Sequence, residues 1–157
     1  MVGDFDLTSL GLKEYIRIGV THLDPADEEL RIIQSQTAIP LLFGEDSKDH
    51  LLIGDFNALK REDYKDEHWK KVQKFNKNQG WTSPKIETLS FLMKKEYRDC
   101  FTECDMKGEL LTCWTNNPTY RVDYILMSKE WKFKCKECKR FDSFESDHFP
   151  VYSDFEL

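Results

Sequence analysis

The stretch His50-Leu51-Leu52-Ile53-Gly54-Asp55-Phe56-Asn57-Ala58 joins an apolar strand pattern to two polar residues at its end. Alternate residues of a β-strand share a face, so Asp55 and Asn57 continue the row begun by Leu51 and Ile53. An apolar row that ends in a carboxylate and an amide indicates a core strand that reaches the rim of an active site. A plain strand followed by an Asp/Asn turn is the alternative for this stretch taken alone.

The composition is that of one globular domain. The chain has 157 residues, of which 39% are hydrophobic and 13% aromatic, and this length suits a single core. No apolar stretch has the length of a membrane span, and residues 1–10 carry acids where a secretory signal has a basic start and an apolar core. We therefore expect an intracellular protein, either cytoplasmic or nuclear.

The net charge of −6 disfavours binding of long duplex nucleic acid through charge alone, because phosphate contacts need clustered Lys and Arg. Residues 129–140 are basic and are interleaved with Trp131 and Phe133. Such a pattern fits either contact with nucleic acid or an edge strand guarded by lysines.

Apolar alternation predicts strands, and apolar residues three or four apart predict helices. We expect strands over residues 14–23, 50–55, 121–127 and 149–155. We expect helices that start at Asp24-Pro25 with Asp24 as N-cap and end before Pro40, that span residues 60–78, and that start at Ser83-Pro84. Residues 1–11 are interpreted as an irregular lead-in.

The five cysteines occur without a secretory signal, which favours reduced thiols, and an odd number cannot pair completely. Cys100, Cys104, Cys135 and Cys138 could together supply four zinc ligands, although the first spacing is unusual for such sites. A zinc-stabilised binding module is therefore one hypothesis, and ordinary buried thiols are the alternative.

Polar residues occupy the ends of several apolar strands. They are His22, the Asp55/Asn57 pair, Asp123 and the Asp147/His148 pair. If these strands lie side by side, two histidines, three acids and an amide meet at one rim. Such a rim suits metal-assisted attack of water on a phosphate ester, and its oxygen ligands favour Mg²⁺ or Mn²⁺ over zinc.

A histidine that acts on a phosphate benefits from a carboxylate that fixes its tautomer. Asp123 is the candidate partner for His148 in this role. The sequence contains no Gly-rich phosphate loop and no nucleophilic Ser or Cys motif. Activated water is therefore favoured over a covalent intermediate.

Several motifs together resemble the endonuclease/exonuclease/phosphatase (deoxyribonuclease-I-like) superfamily. They follow that family's order at plausible spacing: Thr21-His22-Leu23-Asp24, Gly54-Asp55-Phe56-Asn57, Arg121-Val122-Asp123-Tyr124-Ile125 and Ser146-Asp147-His148-Phe149-Pro150-Val151. Any one of these motifs occurs by chance, whereas the ordered set is specific.

The resemblance implies a partial four-layer α/β sandwich, in which two mixed sheets pack face to face and helices lie outside. The site is then at one end of the sandwich. His22 would contact the scissile phosphate, Asp55 would position the attacking water and bind metal, and Asn57 would bind a phosphate oxygen.

The same resemblance gives roles to residues in the second half of the chain. Asp123 would orient His148, which acts on the phosphoryl transition state, and Asp147 would approach the metal. Trp114 and Arg121 would bind substrate, with Trp114 placed as in the tyrosyl-DNA phosphodiesterase-like branch. Packing in the core is the alternative for Trp114.

Domains of this family are longer, and the part without a counterpart here is their N-terminal half, with an Asn and the main metal-binding Glu upstream of His22. We therefore expect residues 1–157 to form one partial domain with an exposed sheet face and edge. Such a domain would pair with a second copy or with a complementing N-terminal half.

Two functions fit these observations. The first is a divalent-metal-dependent phosphoesterase that uses activated water, with nucleic acid as the preferred substrate and phosphoinositide or sphingomyelin headgroups as further options. The second is a catalytically degenerate domain, or a half-domain, that acts only as a binding or partner module.

Overall fold

The computed structural model describes residues 1–12, 15–44, 49–81, 84, 86–104 and 110–156. The strands in chain order are β1 (Val2–Asp6), β2 (Tyr15–His22), β3 (His50–Asp55), β4 (Arg98–Asp99), β5 (Asp123–Met127), β6 (Lys134–Arg140) and β7 (Val151–Glu156). The helices are α1 (Glu28–Phe43), α2 (Asp66–Asn78), α3 (Glu87–Lys94) and α4 (Cys100–Glu103). None of the helices in these ranges is both long and apolar enough to cross a membrane.

Strands β1 to β5 form a mixed sheet in the order β1-β2-β3-β5-β4. Strands β2 and β3 run parallel, and the other pairings in this sheet are antiparallel. A parallel pair needs a crossover connection, which α1 provides. The C-terminal ends of β2 and β3 therefore meet the N-terminal end of β5 at one edge of the sheet.

Strand β3 is covered on both faces, which explains why its adjacent residues Leu51 and Leu52 are both buried. Leu52 packs with Phe43 and Leu89, which belong to α1 and α3. Leu51 packs on the opposite face with Met127. The apolar run of β3 thus forms the centre of two cores.

Strands β6 and β7 form a separate antiparallel sheet. Its residues Cys138 and Phe155 pack in the same core as Ile16 and Met127 of the larger sheet. The two sheets therefore lie face to face with helices outside the larger one, which confirms the predicted α/β sandwich. The smaller sheet is antiparallel rather than mixed, and the basic stretch supplies one of its two strands.

The N-terminal segment and α1 differ from the sequence prediction. The predicted irregular lead-in contains β1, because Arg17 of β2 pairs with Asp4 at 2.6 Å and β2 supplies the backbone partners. The side chain of Asp24 accepts hydrogen bonds in a turn before the helix, and Asp27 is the N-cap that accepts from Leu30.

The bounds of the helices also differ from the prediction. Helix α1 passes Pro40 because a proline in the last turn removes only one backbone donor. The predicted 60–78 helix is α2 preceded by a 3₁₀ turn at Arg61–Asp63. The predicted start of the third helix at Ser83 lies outside the described residues, and α3 begins at Glu87.

Cys104 and Cys135 form a disulfide, with Cα atoms 6.0 Å apart, so the expectation of reduced thiols is wrong for this pair. The bond takes two of the four sulfurs that the zinc hypothesis needs, which removes its basis. Cys100 and Cys138 are free and buried. Burial raises the pKa of Cys100 to about 12 and that of Cys138 to about 11, so both stay neutral thiols.

Candidate functional site

Neighbouring strands bring polar residues into one row at the sheet edge. The register places His22 of β2 beside Asp55 of β3, and Asp55 beside Asp123 of β5. Nε2 of His22 lies 3.5 Å from Oδ2 of Asp55, and the His22 side chain is 72% exposed. The Asp55 carboxylate therefore occupies the middle of the row.

Gly54 allows the backbone to take the shape that this row requires. Its φ is +132°, a conformation that residues with a side chain rarely adopt. A Cβ at this position would also overlap the carbonyl oxygen of Thr21 on the neighbouring strand. Both the backbone conformation and the contact with β2 therefore require a glycine before Asp55.

His148 reaches the row from the segment between β6 and β7. Its backbone bridges Cys113, and its Nδ1 lies 2.9 Å from Oδ2 of Asp123. The backbone N–H of Asp123 donates to Oγ1 of Thr112 at 3.3 Å, which fixes the start of β5. The predicted convergence of His22, Asp55, Asp123 and His148 is therefore present in the structure.

Asn57 ties the ends of β2 and β3 together. Its backbone N–H donates to Oδ1 of Asp55 at 2.7 Å, and its Nδ2 donates to the carbonyl oxygen of Leu23 at 3.0 Å. Its φ of 47° lies in the left-handed region, which Asn tolerates better than most residues. The amide is thus held at the rim beside Asp55.

The surroundings of the row raise the pKa values of Asp55 and His148 for different reasons. Burial raises the pKa of Asp55, and the nearby Asp123 charge adds to this, while the Asn57 N–H opposes it. The hydrogen bond with Asp123, followed by one with Cys113, raises the pKa of His148 to about 11. His148 is therefore an imidazolium at neutral pH and can donate a hydrogen bond to an anion.

Asp55, Asp123 and His148 lie close together, and the two carboxylates of this group fit a metal ion, whereas the His148 imidazolium does not coordinate one. Their ligand atoms lie within 4.8 Å of one another, and they are the one such group of three or more in the described parts of the chain. Two carboxylates that leave room for water and phosphate oxygens are typical of Mg²⁺ sites. Asp147, the other predicted ligand, is exposed and does not belong to this group.

The structure places the two predicted substrate-binding residues very differently. Trp114 lines a cavity of about 510 Å³ that also includes His148 and Asn57. Arg121 is 2% exposed, and its guanidinium forms two hydrogen bonds of 2.7 Å with Asp99. Because this side chain is enclosed and paired, Arg121 has a structural role, and the predicted substrate contact is wrong.

Several residues at the site were not found from the sequence. Thr112 and Cys113 contact Asp123 and His148, but their residue types carry no distinctive signal. The same cavity is lined by Asn76, Trp81 and Tyr120, which come from separate segments. The Trp81 and Trp114 pair was the available hint, since exposed tryptophans often mark binding sites.

Neither a family model nor a curated protein matches the sequence. Solved structures do share its fold. An endonuclease/exonuclease/phosphatase protein from Bacteroides vulgatus superposes with a TM-score of 0.65 at 17% identity, over 94% of this chain and 52% of its own. A mannosyl-6-phosphatase from Bacteroides thetaiotaomicron gives 0.56 at 19% identity, over 99% of this chain and 56% of its own.

A humanized D. rerio TDP2 also matches, with a TM-score of 0.54 at 13% identity, over 92% of this chain and 57% of its own. This chain therefore has the fold of the endonuclease/exonuclease/phosphatase superfamily, as its motifs predicted. It spans about half the length of the structures that it matches. The predicted nearness to the tyrosyl-DNA phosphodiesterase-like branch stays a prediction.

Proposed function

We propose that this chain is a divalent-metal-dependent phosphoesterase domain that hydrolyses phosphate esters with activated water, and that nucleic acid is its preferred substrate. The observation that supports this most is the continuous row His22, Asp55, Asp123 and His148 at one sheet edge. Phosphoesterases of different substrate classes share its fold, which favours the reaction type over any single substrate.

Asp55 positions the attacking water and accepts its proton in this proposal. Its burial raises its pKa, which makes the carboxylate a better proton acceptor than an ordinary Asp. Asn57 and His22 flank it and bind phosphate oxygens, and the tie between Asn57 and Leu23 keeps the amide in place. The substrate phosphate thus lies over the ends of β2 and β3.

His148 acts on the opposite side of the phosphate. Asp123 accepts the hydrogen bond from Nδ1, which leaves Nε2 of the imidazolium to donate to a phosphoryl oxygen as negative charge develops. Asp123 is therefore a positioning residue for His148, as well as a candidate metal ligand.

Asp55 and Asp123 would hold Mg²⁺ or Mn²⁺, with Asp147 as a further predicted ligand. When bound, the cation neutralises phosphate charge and lowers the pKa of a water ligand. The close approach of two carboxylates gives a reason for a cation here, since like charges repel and burial already penalises Asp55.

We also propose that residues 1–157 form one domain that associates with a second copy or with a complementing half. Phe5 pairs with Ile16, and Val20 continues the row of Ile16 on the face toward the smaller sheet, yet Phe5 is 53% and Val20 45% exposed. This uncovered face is also what favours the second function, a binding module without catalysis. An intracellular location stays a prediction from the acidic N-terminal segment.

Hydrolysis of a generic phosphodiester such as bis(4-nitrophenyl) phosphate, with Mg²⁺ or Mn²⁺, tests the catalytic proposal. We expect His148→Ala to lower the rate at least about a hundredfold, whereas the matched His68→Gln variant keeps it. Chelation of the metal should abolish turnover. Absence of hydrolysis with either cation would favour the binding module instead.

A further inference from the structure

A cavity of about 510 Å³ opens directly beside the proposed catalytic row. His148 and Asn57 are among its lining residues, so a phosphate held by them would place its substituent against the rest of the lining. This volume lies in the range of small-molecule pockets. The residues that line the rest of the cavity therefore bear on which ester the site accepts.

Three large aromatic side chains, Trp81, Trp114 and Tyr120, belong to the lining of the cavity. Trp114 lies 5.7 Å from Tyr120 and 6.4 Å from Trp81, measured between ring centroids. Phe75 packs behind Trp114 at 5.3 Å and supports it. Trp81 is 51% exposed, so a large part of its ring surface is open to a ligand.

The remaining lining offers few polar partners. The Tyr120 hydroxyl donates to Oδ1 of Asn76, which leaves the amide NH₂ of Asn76 as a donor for a ligand. The indole N–H groups of Trp81 and Trp114 are the other donors on this aromatic part of the lining. Leu59 and Val122 add apolar surface. A sugar or inositol ring needs partners for several hydroxyls, and burial without them is unfavourable, whereas a planar ring with one acceptor suits these walls.

We propose that this cavity binds a planar aromatic ring carried by the phosphate ester, so that the site selects esters of nucleosides or phenols over sugar-phosphate and inositol headgroups. This inference rests on the proposed phosphoesterase function and names its substrate class. The ring stacks on Trp114 and Trp81, and the Asn76 amide donates to an acceptor on its edge. The phosphate then lies at Asn57 and His148.

Binding to matched ligand pairs tests this selection without turnover. The pairs are uridine 5′-monophosphate with ribose 5-phosphate, and phenyl phosphate with cyclohexyl phosphate. Each pair is titrated calorimetrically into the wild-type full chain with a metal chelator present, where the proposed mechanism gives no turnover and His148 stays in place. We expect the ring-bearing member of at least one pair to bind about tenfold more tightly, the size of one stacking contact.

Tryptophan variants then locate the preference in the cavity. Trp81→Leu and Trp114→Leu should each reduce it to about twofold or less. Trp69→Leu is the matched control, because Trp69 belongs to the same apolar cluster but does not line the cavity. Circular dichroism checks folding, and the exposed Trp81 gives an informative variant even if Trp114→Leu does not fold.

The outcomes separate this inference from the function on which it rests. A ring preference in the nucleotide pair identifies nucleoside esters, and one in the phenyl pair identifies phenolic esters. Equal affinities within both pairs, or a preference that both tryptophan variants retain, would overturn the inference. Wild-type hydrolysis without ring preference rejects the selection alone, whereas no binding and no hydrolysis of any ester rejects both.

Discussion

Two clusters of charged residues lie close together in the chain but have opposite surroundings. Asp123 belongs to the rim, where the side chains of His22 and His148 are 72% and 28% exposed. Arg121, two residues earlier, belongs to an inner network in which the side chains of Arg121, Asp99 and Asp63 are only 3%, 1% and 7% exposed. Both clusters pair carboxylates with cationic or imidazole groups, so residue type does not separate them.

The inner network differs from the rim in that its charged atoms already have partners. Arg121 donates to both Asp99 and Asp63, and Lys60 and Thr102 complete the surroundings of Asp99. Although burial opposes it, the hydrogen bond from Arg121 lowers the pKa of Asp99. A cluster whose charged groups pair with one another and are enclosed stabilises the fold, and a cluster with solvent-exposed donors and acceptors can bind a ligand.

Breaking the inner network should have the largest effect on stability. Arg121→Met removes the buried guanidinium that hydrogen-bonds both Asp99 and Asp63, which should cost about 3 to 5 kcal/mol. Urea denaturation of variant and wild type measures this loss.

An exposed arginine pair provides the control for Arg121→Met. Arg17 forms two hydrogen bonds with Asp4, but these side chains are 40% and 50% exposed. Arg17→Met should therefore lower the free energy of unfolding far less than Arg121→Met does, because an ion pair in solvent contributes little to stability. Equal losses for the two variants would mean that burial does not set apart the inner network.

The same substitution in the two clusters should give opposite results. Asp99→Asn should cost about 3 kcal/mol, because Arg121 loses its bidentate partner. Asp123→Asn should cost less stability than Asp99→Asn, because Asp123 lies at the partly exposed rim, and should lower phosphodiesterase activity about a hundredfold through His148. Denaturation and initial rates on the same preparations measure both. Loss of stability in Asp123→Asn with full activity would assign Asp123 to the structural class.

Strand β3 has a second histidine environment at its other end. It begins at the buried His50 and ends at Asp55 in the rim. His50 is 6% exposed, stacks on Phe43 at 3.8 Å, and its Nε2 hydrogen-bonds the Tyr97 hydroxyl at 2.6 Å. Burial, with a smaller effect from Arg17, lowers the pKa of His50 from 6.5 to about 4. Neutral His50 is thus part of the core, whereas His148 at the rim is charged.

This shift predicts a loss of stability in acid. Below pH 6.5 the unfolded chain binds a proton at His50 that the folded chain refuses until about pH 4, so stability falls across that window and is constant above it. Between pH 7 and pH 5 the loss should be about 2 kcal/mol. Urea denaturation of His50→Gln over the same range should lack this part of the slope, and parallel curves would contradict the cause.

The central strands and the rim could be predicted from sequence because one local rule gives both. In β2 apolar residues alternate and His22 continues their row, whereas β3 is an apolar run that ends at Asp55 and β5 is an apolar run that starts at Asp123. Strand β1 could not be predicted from the sequence, because its Gly3 and its acidic residues have little preference for strands. Its formation depends on pairing with β2, which is a contact between separate segments.

Long-range pairings account for what the sequence did not reveal. Asp99 and Arg121 are 22 residues apart, and nothing in either neighbourhood shows that they meet, so the sequence alone cannot distinguish Arg121 from a substrate contact. The cavity likewise combines Trp81 with Tyr120 from different segments. A motif locates residues along the chain, but burial and partners decide whether a charged residue binds substrate or supports the fold.

The uncovered sheet face offers the smallest effect on stability and a separate test of association. Phe5 and Val20 are about half exposed, so the double variant Phe5→Ser/Val20→Thr should change the free energy of unfolding by about 0.5 kcal/mol or less. Its effect should appear in sedimentation velocity, where the mass of the wild-type chain rises with concentration and that of the variant does not. Leu41→Ser is the matched control, because Leu41 is 79% exposed but lies on α1. A wild-type chain that stays monomeric at all concentrations would leave this face without a second copy and favour a complementing half as its partner.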